Sequence, residues 1–370
     1  MPKPLKLVAA NDTVSALLAL GEALAGNQAI FVTSPELNGL MPEVHGLPDE
    51  VADDVALIVE SSGSTGTPKR IELSAAALLA SANAAHERLG GQGQWLLALP
   101  INFVAGANVL IRSLVAETQP VIMNAALPFS AEGFARAASL MTGQRRYTSV
   151  VPTQLKRLAD AIDFDDFLLA QLRRFDAILV GGQAADPGLL ERLRAKGVRL
   201  VTTYGMTETC GGCVYDGVPL EGVAVELAGQ NRIRISGPTL ANGLSDGFLT
   251  NDLGQFDAEG RLQVLGRMDR VIASGGIKIS LDRVEALAAQ VRGVTEVAAS
   301  ALVDPAWGER VGIAYVGSPE VADTIAEALA DTIGPAGKPV RVIRVDRLPM
   351  LQNGKPDLVS IAKLFEVSNG

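Results

Sequence analysis

Cysteine and histidine are scarce in this 370-residue chain, with two of each, and their scarcity excludes whole classes of chemistry. A structural zinc site needs about four ligands. Cys210 and Cys213 form one C-x-x-C pair with no second pair to match it, and His45 and His86 lie far away in sequence. A thioredoxin-like redox couple shares that spacing, but the flanking elements are not those of that short fold. Two incidental thiols in a reducing compartment is the favoured reading. Also absent is any run of Lys and Arg interleaved with aromatics. Together with a net charge of −9, this argues against nucleic acid as a partner, because backbone phosphates are bound by clustered cations. Membrane-spanning runs are missing too. Residues 89–111 carry no charge, but Pro100, Asn102, Asn108 and several Gly and Gln suit buried strands around a polar site better than a membrane span. The apolar stretch Val14–Gly26 is interrupted by Glu22 and follows few basic residues, so it reads as an amphipathic helix and not a signal peptide. Small molecules are the expected partners, the cytoplasm is the expected location, and a homodimer is left open.

The length exceeds one ordinary core and implies two or more units. Strand-like runs at Trp95–Leu99, Pro120–Met123, Thr148–Val151, Ala177–Val180 and Arg199–Thr202 alternate with helical patterns at 131–140, 153–160 and 187–196. Such alternation indicates parallel βαβ units. After Gly205 the runs shorten and are separated by Gly, Asn and Asp, as in an antiparallel region. From Asp269 the pattern predicts a hairpin through Gly275-Gly276, a helix from Leu281, strands at Val297–Val303 and Val311–Val316, a helix at 321–333 and a strand at 341–345. The expected class is α/β: a large N-terminal domain over 1–268 with mainly parallel sheets flanked by helices plus a small β region, then a small α+β domain over 269–370.

Four segments carry candidate chemistry. The first is Ser61-Ser62-Gly63-Ser64-Thr65-Gly66-Thr67-Pro68-Lys69, which follows the apolar run 55–59. Glycines let backbone N–H groups approach phosphate oxygens, and hydroxyls and a cation add donors and charge. In a P-loop the lysine directly follows the last glycine. Here Thr67 and Pro68 intervene and Arg70 replaces the expected Ser or Thr, which leaves another kind of triphosphate loop or a polar turn. The second is Thr202-Thr203-Tyr204-Gly205-Met206-Thr207-Glu208-Thr209, directly after a strand; Glu208 could hold a metal ion and Thr207 a phosphate or nucleotide, or the segment could be a strand-end turn with a solvated carboxylate. The third pairs Asp252 with Arg267, where a carboxylate could accept from both ribose hydroxyls while the guanidinium donates from the other side. The fourth is Lys355, presented by a glycine turn near the C-terminus; alone it would be a solvated lysine.

This ordered set resembles the adenylate-forming acyl-CoA synthetase family, and the likeness runs from Ser61 to Lys355. The resemblance implies that Ser62, Gly63, Ser64, Thr65, Gly66 and Lys69 bind the phosphates of ATP. It implies that Gly182, Gln183, Thr203, Tyr204, Gly205 and Met206 line the nucleotide site, that Thr207 and Glu208 act in catalysis with Glu208 on Mg2+, and that Asp252 and Arg267 hold the ribose. Lys355 matches the adenylation lysine of a mobile C-terminal domain, Asp269 its hinge, and Gly275-Gly276 the loop near the thioester-forming tunnel used by CoA. Asn102, Phe103, Gly106, Thr153 and Gly181 are the expected contacts of the carboxylic acid. Tyr204–Cys210, Gly181–Ala184, Ser274–Gly276, Leu348–Leu351 and the short stretch before Ser61 are similar to the short 2-succinylbenzoate–CoA ligase subfamily of menaquinone synthesis. Where that subfamily carries a histidine or aromatic before Val-x-Gly, this chain has Asn102 and Phe103, a departure that falls beside the expected acyl group. Three further readings stay open: a CoA ligase for another aryl or medium acyl acid, a stand-alone adenylation domain that loads a carrier protein, and a catalytically silent binding protein that keeps the fold, which the complete set of Lys69, Glu208, Asp252, Arg267 and Lys355 disfavours.

Overall fold

The computed structural model describes residues 1–35, 40–61, 69–123, 128–351 and 355–366. The chain divides into two compact units, residues 1–226 with 234–248 and residues 227–233 with 249–370. The first unit begins with β1 (Lys3–Ala9), α1 (Thr13–Leu24), β2 (Ala29–Thr33), β3 (Glu50–Val51), β4 (Val55–Ser61), β5 (Lys69–Ser74) and α2 (Ala75–Arg88). The five strands form one sheet in the order β3-β1-β2-β4-β5, parallel at its centre and antiparallel at both edges. All five residues of β2 are buried, as expected for a strand covered on both faces. Asp12 and Ser74 cap α1 and α2 by accepting from Ser15 N and Ala77 N, which satisfies donors that a helix start leaves without partners.

The chain continues through β6 (Gln94–Leu97), α3 (Val104–Val115), β7 (Val121–Ile122), α4 (Ala131–Ser139), β8 (Arg146–Val150), α5 (Pro152–Ala161), α6 (Asp166–Arg173), β9 (Ala177–Val180), α7 (Pro187–Ala195), β10 (Leu200–Met206), β11 (Gly211–Tyr215) and β12 (Val218–Pro219). Among the described residues these strands form a sheet ordered β12-β11-β10-β9-β8-β6-β7. From β10 to β7 it is parallel, and β11 and β12 extend it antiparallel. Leu96, Val150, Ile178 and Val180 of the strands pack with Phe134, Leu155, Leu168, Leu172 and Leu193 of the covering helices in one apolar cluster. The expected βαβ units are therefore present. Residues 89–111 depart from expectation: instead of strands throughout, they hold β6 and then the start of α3. Val104 and Gly106–Ser113 of α3 are all buried, and a helix buried all round shows no amphipathic period by which to tell it from a strand.

Two short strands follow, β13 (Ala224–Ala228) and β14 (Arg232–Ser236), and then β15 (Phe248–Phe256), which pairs antiparallel with β16 (Leu262–Arg267). The rest of the second unit comprises β17 (Val271–Ser274), β18 (Ile277–Ser280), α8 (Leu281–Ala288), β19 (Val294–Asp304), β20 (Gly308–Gly317), α9 (Ala322–Ile333), β21 (Arg341–Arg344) and α10 (Leu358–Leu364). Its sheet runs β18-β17-β20-β19, with β21 parallel to β20. Alternation along β20 sends Val311, Ile313 and Tyr315 into a core with α8 and α9, and Ala314 into a second core with Ile361 and Phe365 at the C-terminal helix. Gly275 and Gly276, with φ of 58° and 83°, form the two-residue turn of the β17–β18 hairpin, where positive φ at both positions favours glycine. The expected boundary at 268/269 lies in the one-turn segment Met268–Arg270, inside the second unit. Among the described residues, no helix is long and apolar enough to cross a membrane.

Between α2 and β6, His86 is 3% exposed and accepts from Trp95 Nε1 at 3.2 Å. Burial, reinforced by the nearby positive Arg112, pushes its pKa down to about 4. A depressed histidine stabilises the fold fully above its unfolded pKa near 6.5 and loses that contribution as pH falls toward 4. We expect unfolding by denaturant to show a loss of about 3 kcal/mol over that window, scaled from about 1.4 kcal/mol per pKa unit. A His86→Gln variant, which keeps a polar group toward Trp95, should show a shallower decline.

Candidate active site

Every crossover in a parallel sheet returns the chain so that successive strands end at the same edge. The carboxyl ends of β6, β8, β9 and β10 accordingly bring together Asn102–Gly106, Thr153, Gly181–Gln183 and Thr203–Met206, the crevice where open α/β sheets bind ligands. The glycines show how close these ends lie. A Cβ on Gly181 would sit 2.2 Å from Thr203 Oγ1, one on Gly106 would sit 2.1 Å from Pro100 O, and Gly182 has a φ of 85°. Gln154 joins two strand ends, accepting from Val151 N at 3.2 Å and donating to Ala98 O at 2.9 Å. Among the described residues, the buried Oδ1 of Asn102 has no hydrogen-bond partner, a feature that demands a functional or structural explanation in a native protein.

Beyond Met206 the chain makes one 3₁₀ turn, Thr207–Thr209, and then enters β11. Gly205 has to be glycine here, since its Cβ would lie 2.0 Å from Gly211 O across the bulged β10–β11 pair. Met206 N donates to Thr209 Oγ1 at 3.0 Å, and that hydroxyl donates to Gly211 O at 2.7 Å. The carbonyl of Glu208 accepts from Ala241 N at 2.9 Å, and the next residue, Asn242, donates from its backbone to Glu72 O at 3.0 Å. Residues 241–242 thus stitch the Glu208 turn to β5, the strand that leaves the glycine- and hydroxyl-rich segment.

That segment joins antiparallel strands, with Ser61 opposite Lys69 and Glu60 opposite Arg70. The expected phosphate-binding residues Ser62, Gly63, Ser64, Thr65 and Gly66 lie outside the described residues, and Lys69 opens β5. Arg70, placed where a P-loop would have a hydroxyl, has a structural part instead. It pairs with Glu60 at 3.1 Å, donates to the carbonyls of Gly46 at 2.7 Å and His45 at 2.6 Å, and covers the ring of Phe31.

In the second unit Asp252 and Arg267 face one another across β15 and β16. Their carboxylate and guanidinium stand 3.7 Å apart. The fork of Arg267 is engaged elsewhere, donating to both oxygens of Asp269 at 2.8 and 2.6 Å. This hydrogen bonding raises the Arg267 pKa and lowers that of Asp269. Asp282, at the start of α8, accepts from Arg267 N at 2.7 Å and from the Arg270 guanidinium. The carbonyl of Lys355 accepts from Leu351 N at 2.8 Å, and Met350 bridges Pro356. Although the residue is exposed, desolvation lowers the pKa of its ammonium; the positive Arg267 adds to that effect and Asp252 opposes it. Asp252, Arg267, Asp269 and Lys355 are therefore one electrostatic group. Gly275-Gly276 stand apart from it at the hairpin tip, about 13 Å along β17 at 3.3 Å per residue, where Trp307 O accepts from Gly275 N.

Among the described residues no group of three or more His, Cys, Asp or Glu could hold a metal alone. Glu208 offers one partly exposed carboxylate. One is enough for Mg2+ that takes its other ligands from phosphate and water, so the donor set fits Mg2+ that arrives with a triphosphate. Sequence reasoning missed Asp282, a helix-start aspartate like many others, and Ser81 and Asn108, which both donate to the carbonyl of Cys210. A lone Asn within the apolar run 104–111 was the available signal for Asn108.

Comparison with known proteins identifies the family. The model of the AMP-binding enzyme family matches residues 6–244, and that of the AMP-binding enzyme C-terminal domain matches residues 283–355. A Mycobacterium tuberculosis protein named probable 2-succinylbenzoate–CoA ligase is 37% identical over 98% of each chain. The 2-succinylbenzoate–CoA ligase of Bacillus licheniformis is 31% identical, covering 86% of this chain and 72% of its own. Among solved structures, an amide bond synthetase from Marinactinospora thermotolerans superposes with a TM-score of 0.77 at 20% identity over 98% of this chain and 90% of its own. The o-succinylbenzoate CoA synthetase of Bacillus subtilis, solved with its acyl-adenylate intermediate, gives 0.75 at 23% identity over 96% of this chain and 82% of its own.

Cys210 and Cys213 are both fully buried. Burial pushes their thiols up to about 12 and about 11, so almost no thiolate exists near neutrality and neither is a redox nucleophile. A disulfide reagent at pH 7.5 is expected to label neither thiol in the native protein and both after denaturation; rapid native labelling would contradict this.

Proposed function

The chain belongs to the AMP-binding enzyme family, and from that premise we propose that it is an ATP-dependent acid–thiol ligase that joins 2-succinylbenzoate to CoA. The observation that carries this reading is the 37% identity to the Mycobacterium tuberculosis protein of that name over 98% of both chains. The acid is activated as an acyl-adenylate, with release of pyrophosphate and then AMP, and the step belongs to menaquinone synthesis. We place it in the cytoplasm and leave a homodimer to a measurement of mass in solution.

The physical difficulty is bringing a carboxylate to a polyanion. In our reading the substrate carboxylate oxygen attacks the α-phosphorus, the bond to the β-phosphate oxygen breaks, and pyrophosphate leaves. A carboxylate is already ionised at neutral pH, so no general base is needed. Mg2+, when bound, neutralises phosphate charge. The chain's own residues supply the rest: Lys69 and the segment before it bind the terminal phosphates, Glu208 orients the metal-bearing end, and Thr207 donates to phosphate. Asp252 holds the ribose hydroxyls, and Arg267 supports it from across the ladder. Lys355 stabilises charge developing around the α-phosphate. The acyl group lies against Asn102, Phe103, Gly106, Thr153 and Gly181, with Gly182, Gln183 and the Thr203–Met206 strand against the adenylate. In the second half-reaction the CoA thiolate attacks the acyl carbonyl and AMP leaves. Asp269 serves as the hinge that exchanges Lys355 for the Gly275-Gly276 loop between the two steps.

Pyrophosphate release with ATP, Mg2+ and a panel of acids, run with and without CoA and followed by mass detection of the thioester, tests the reading. We expect 2-succinylbenzoyl-CoA and a clear preference over benzoate, fatty and amino acids. Release with another acid keeps the chemistry and discards this substrate, and acyl transfer only to a carrier protein favours the loading domain. Lys355→Ala should depress adenylation by a hundredfold or more, the order seen for removal of one charge-stabilising donor. The same variant should leave thioesterification of supplied acyl-adenylate within a few-fold; equal losses in both would refute the role of Lys355. Because its folded pKa is lowered, the cationic form is lost as pH rises through a value below the ordinary lysine range, so wild-type adenylation should fall earlier on the alkaline side than thioesterification does.

A further inference from the structure

The carbonyl of Cys210 is gripped twice. Asn108 Nδ2 donates to it at 2.7 Å and Ser81 Oγ at 3.1 Å. The donors come from different helices, α3 and α2, and the two residues are 2% and 1% exposed. Cys210 itself has a φ of 51° and a ψ of 38°, a left-handed conformation that a non-glycine residue keeps only where its surroundings impose it. Its N–H donates to Thr207 O at 3.1 Å and so closes the 3₁₀ turn that carries Glu208. On the other side Gly211, with a φ of 90°, lies so near that a Cβ would be 2.4 Å from Asn108 Nδ2. The turn is thus fastened by its own N–H at one end and by two buried side chains at the other. Holding a left-handed carbonyl would satisfy two buried donors in any case. The location, two residues after Glu208, gives the grip a consequence for chemistry.

We infer that Ser81 and Asn108 are positioning residues for adenylation, which act through the Cys210 carbonyl to fix the Thr207–Glu208 turn for the Mg2+–triphosphate. The inference rests on the role proposed for Glu208. With the turn held in advance, Glu208 meets the metal-bearing end of ATP without reordering its backbone, and the cost of ordering is met in folding and not in binding. Neither side chain touches the substrates in this account.

The test compares Ser81→Ala, Asn108→Ala and Glu208→Gln, singly and in pairs, in the full-length enzyme. Ser81→Ala removes one hydroxyl from a packed site and keeps the test open if Asn108→Ala fails to fold. Each positioning variant should raise the Mg2+ concentration for half-maximal pyrophosphate release by roughly fivefold, the factor expected from one neutral hydrogen bond. Calorimetric titration with ATP should show weaker binding in Mg2+ but unchanged binding in EDTA. Thioesterification of supplied acyl-adenylate should stay within twofold of wild type. In the Glu208→Gln background neither variant should cause a further loss, since residues acting through one group are not additive. Additive losses, or equal weakening of ATP binding in Mg2+ and EDTA, would reduce the grip to a structural role and overturn the inference. An impaired Glu208→Gln beside unaffected Ser81→Ala and Asn108→Ala would overturn the inference alone. An unaltered Mg2+ response in Glu208→Gln would overturn the role of Glu208 and the inference with it.

Discussion

Parallel pairing is the constraint on which the first unit depends. Adjacent parallel strands cannot be joined by a tight turn, so each of β7, β8, β9 and β10 is reached by a crossover through helices. The helices bury one face each against the sheet, which gives the unit its main apolar cluster. The same requirement directs all the strand ends to one edge, so residues a hundred positions apart in sequence, such as Asn102 and Thr203, lie along the same edge. Core and site are two results of one geometric rule.

The antiparallel extension adds what parallel strands cannot. Between β10 and β11 the chain reverses within a single 3₁₀ turn, and this reversal brings Glu208 to the edge. A reversal so tight strains the backbone, as Cys210 shows by its positive φ, while Gly211 takes its own positive φ without strain. The strain is contained by buried polar contacts from α2 and α3 and by the stitch through Ala241 and Asn242. The apolar core alone could not hold it, because apolar contacts are not directional whereas a carbonyl with two donors is held in orientation.

Charge in the second unit is arranged by the same logic of shared partners. Arg267 is bound bidentately by Asp269, tied through its own backbone to Asp282 and set loosely against Asp252. Bidentate forks orient a guanidinium far better than a single contact does. The hinge candidate and the ribose candidate are therefore linked, and Lys355 lies within the field of both Asp252 and Arg267. An ammonium kept close to a guanidinium favours an anion near both.

The sequence by itself determined the class of fold and the chemical inventory. Alternating β and α patterns announced the parallel sheet and the glycine pair at 275–276 the hairpin of the second unit, because period and turn chemistry are local properties; the family resemblance carried by Lys69, Glu208, Asp252, Arg267 and Lys355 in order implied the kind of reaction. It also showed Asp252 and Arg267 as a pair, but not that Asp269 takes the Arg267 fork. It did not separate strand from helix over 89–111, since α3, with Val104 and Gly106–Ser113 all buried, lacks the period that would betray it. Nor could it reveal that Ser81 and Asn108 converge on Cys210, or that Arg70 holds carbonyls of a distant loop. Those contacts join residues 24 to 129 positions apart, and a long-range hydrogen bond leaves no periodic trace in the chain. Tertiary structure alone decided them, because only folding sets which carbonyl each buried donor meets.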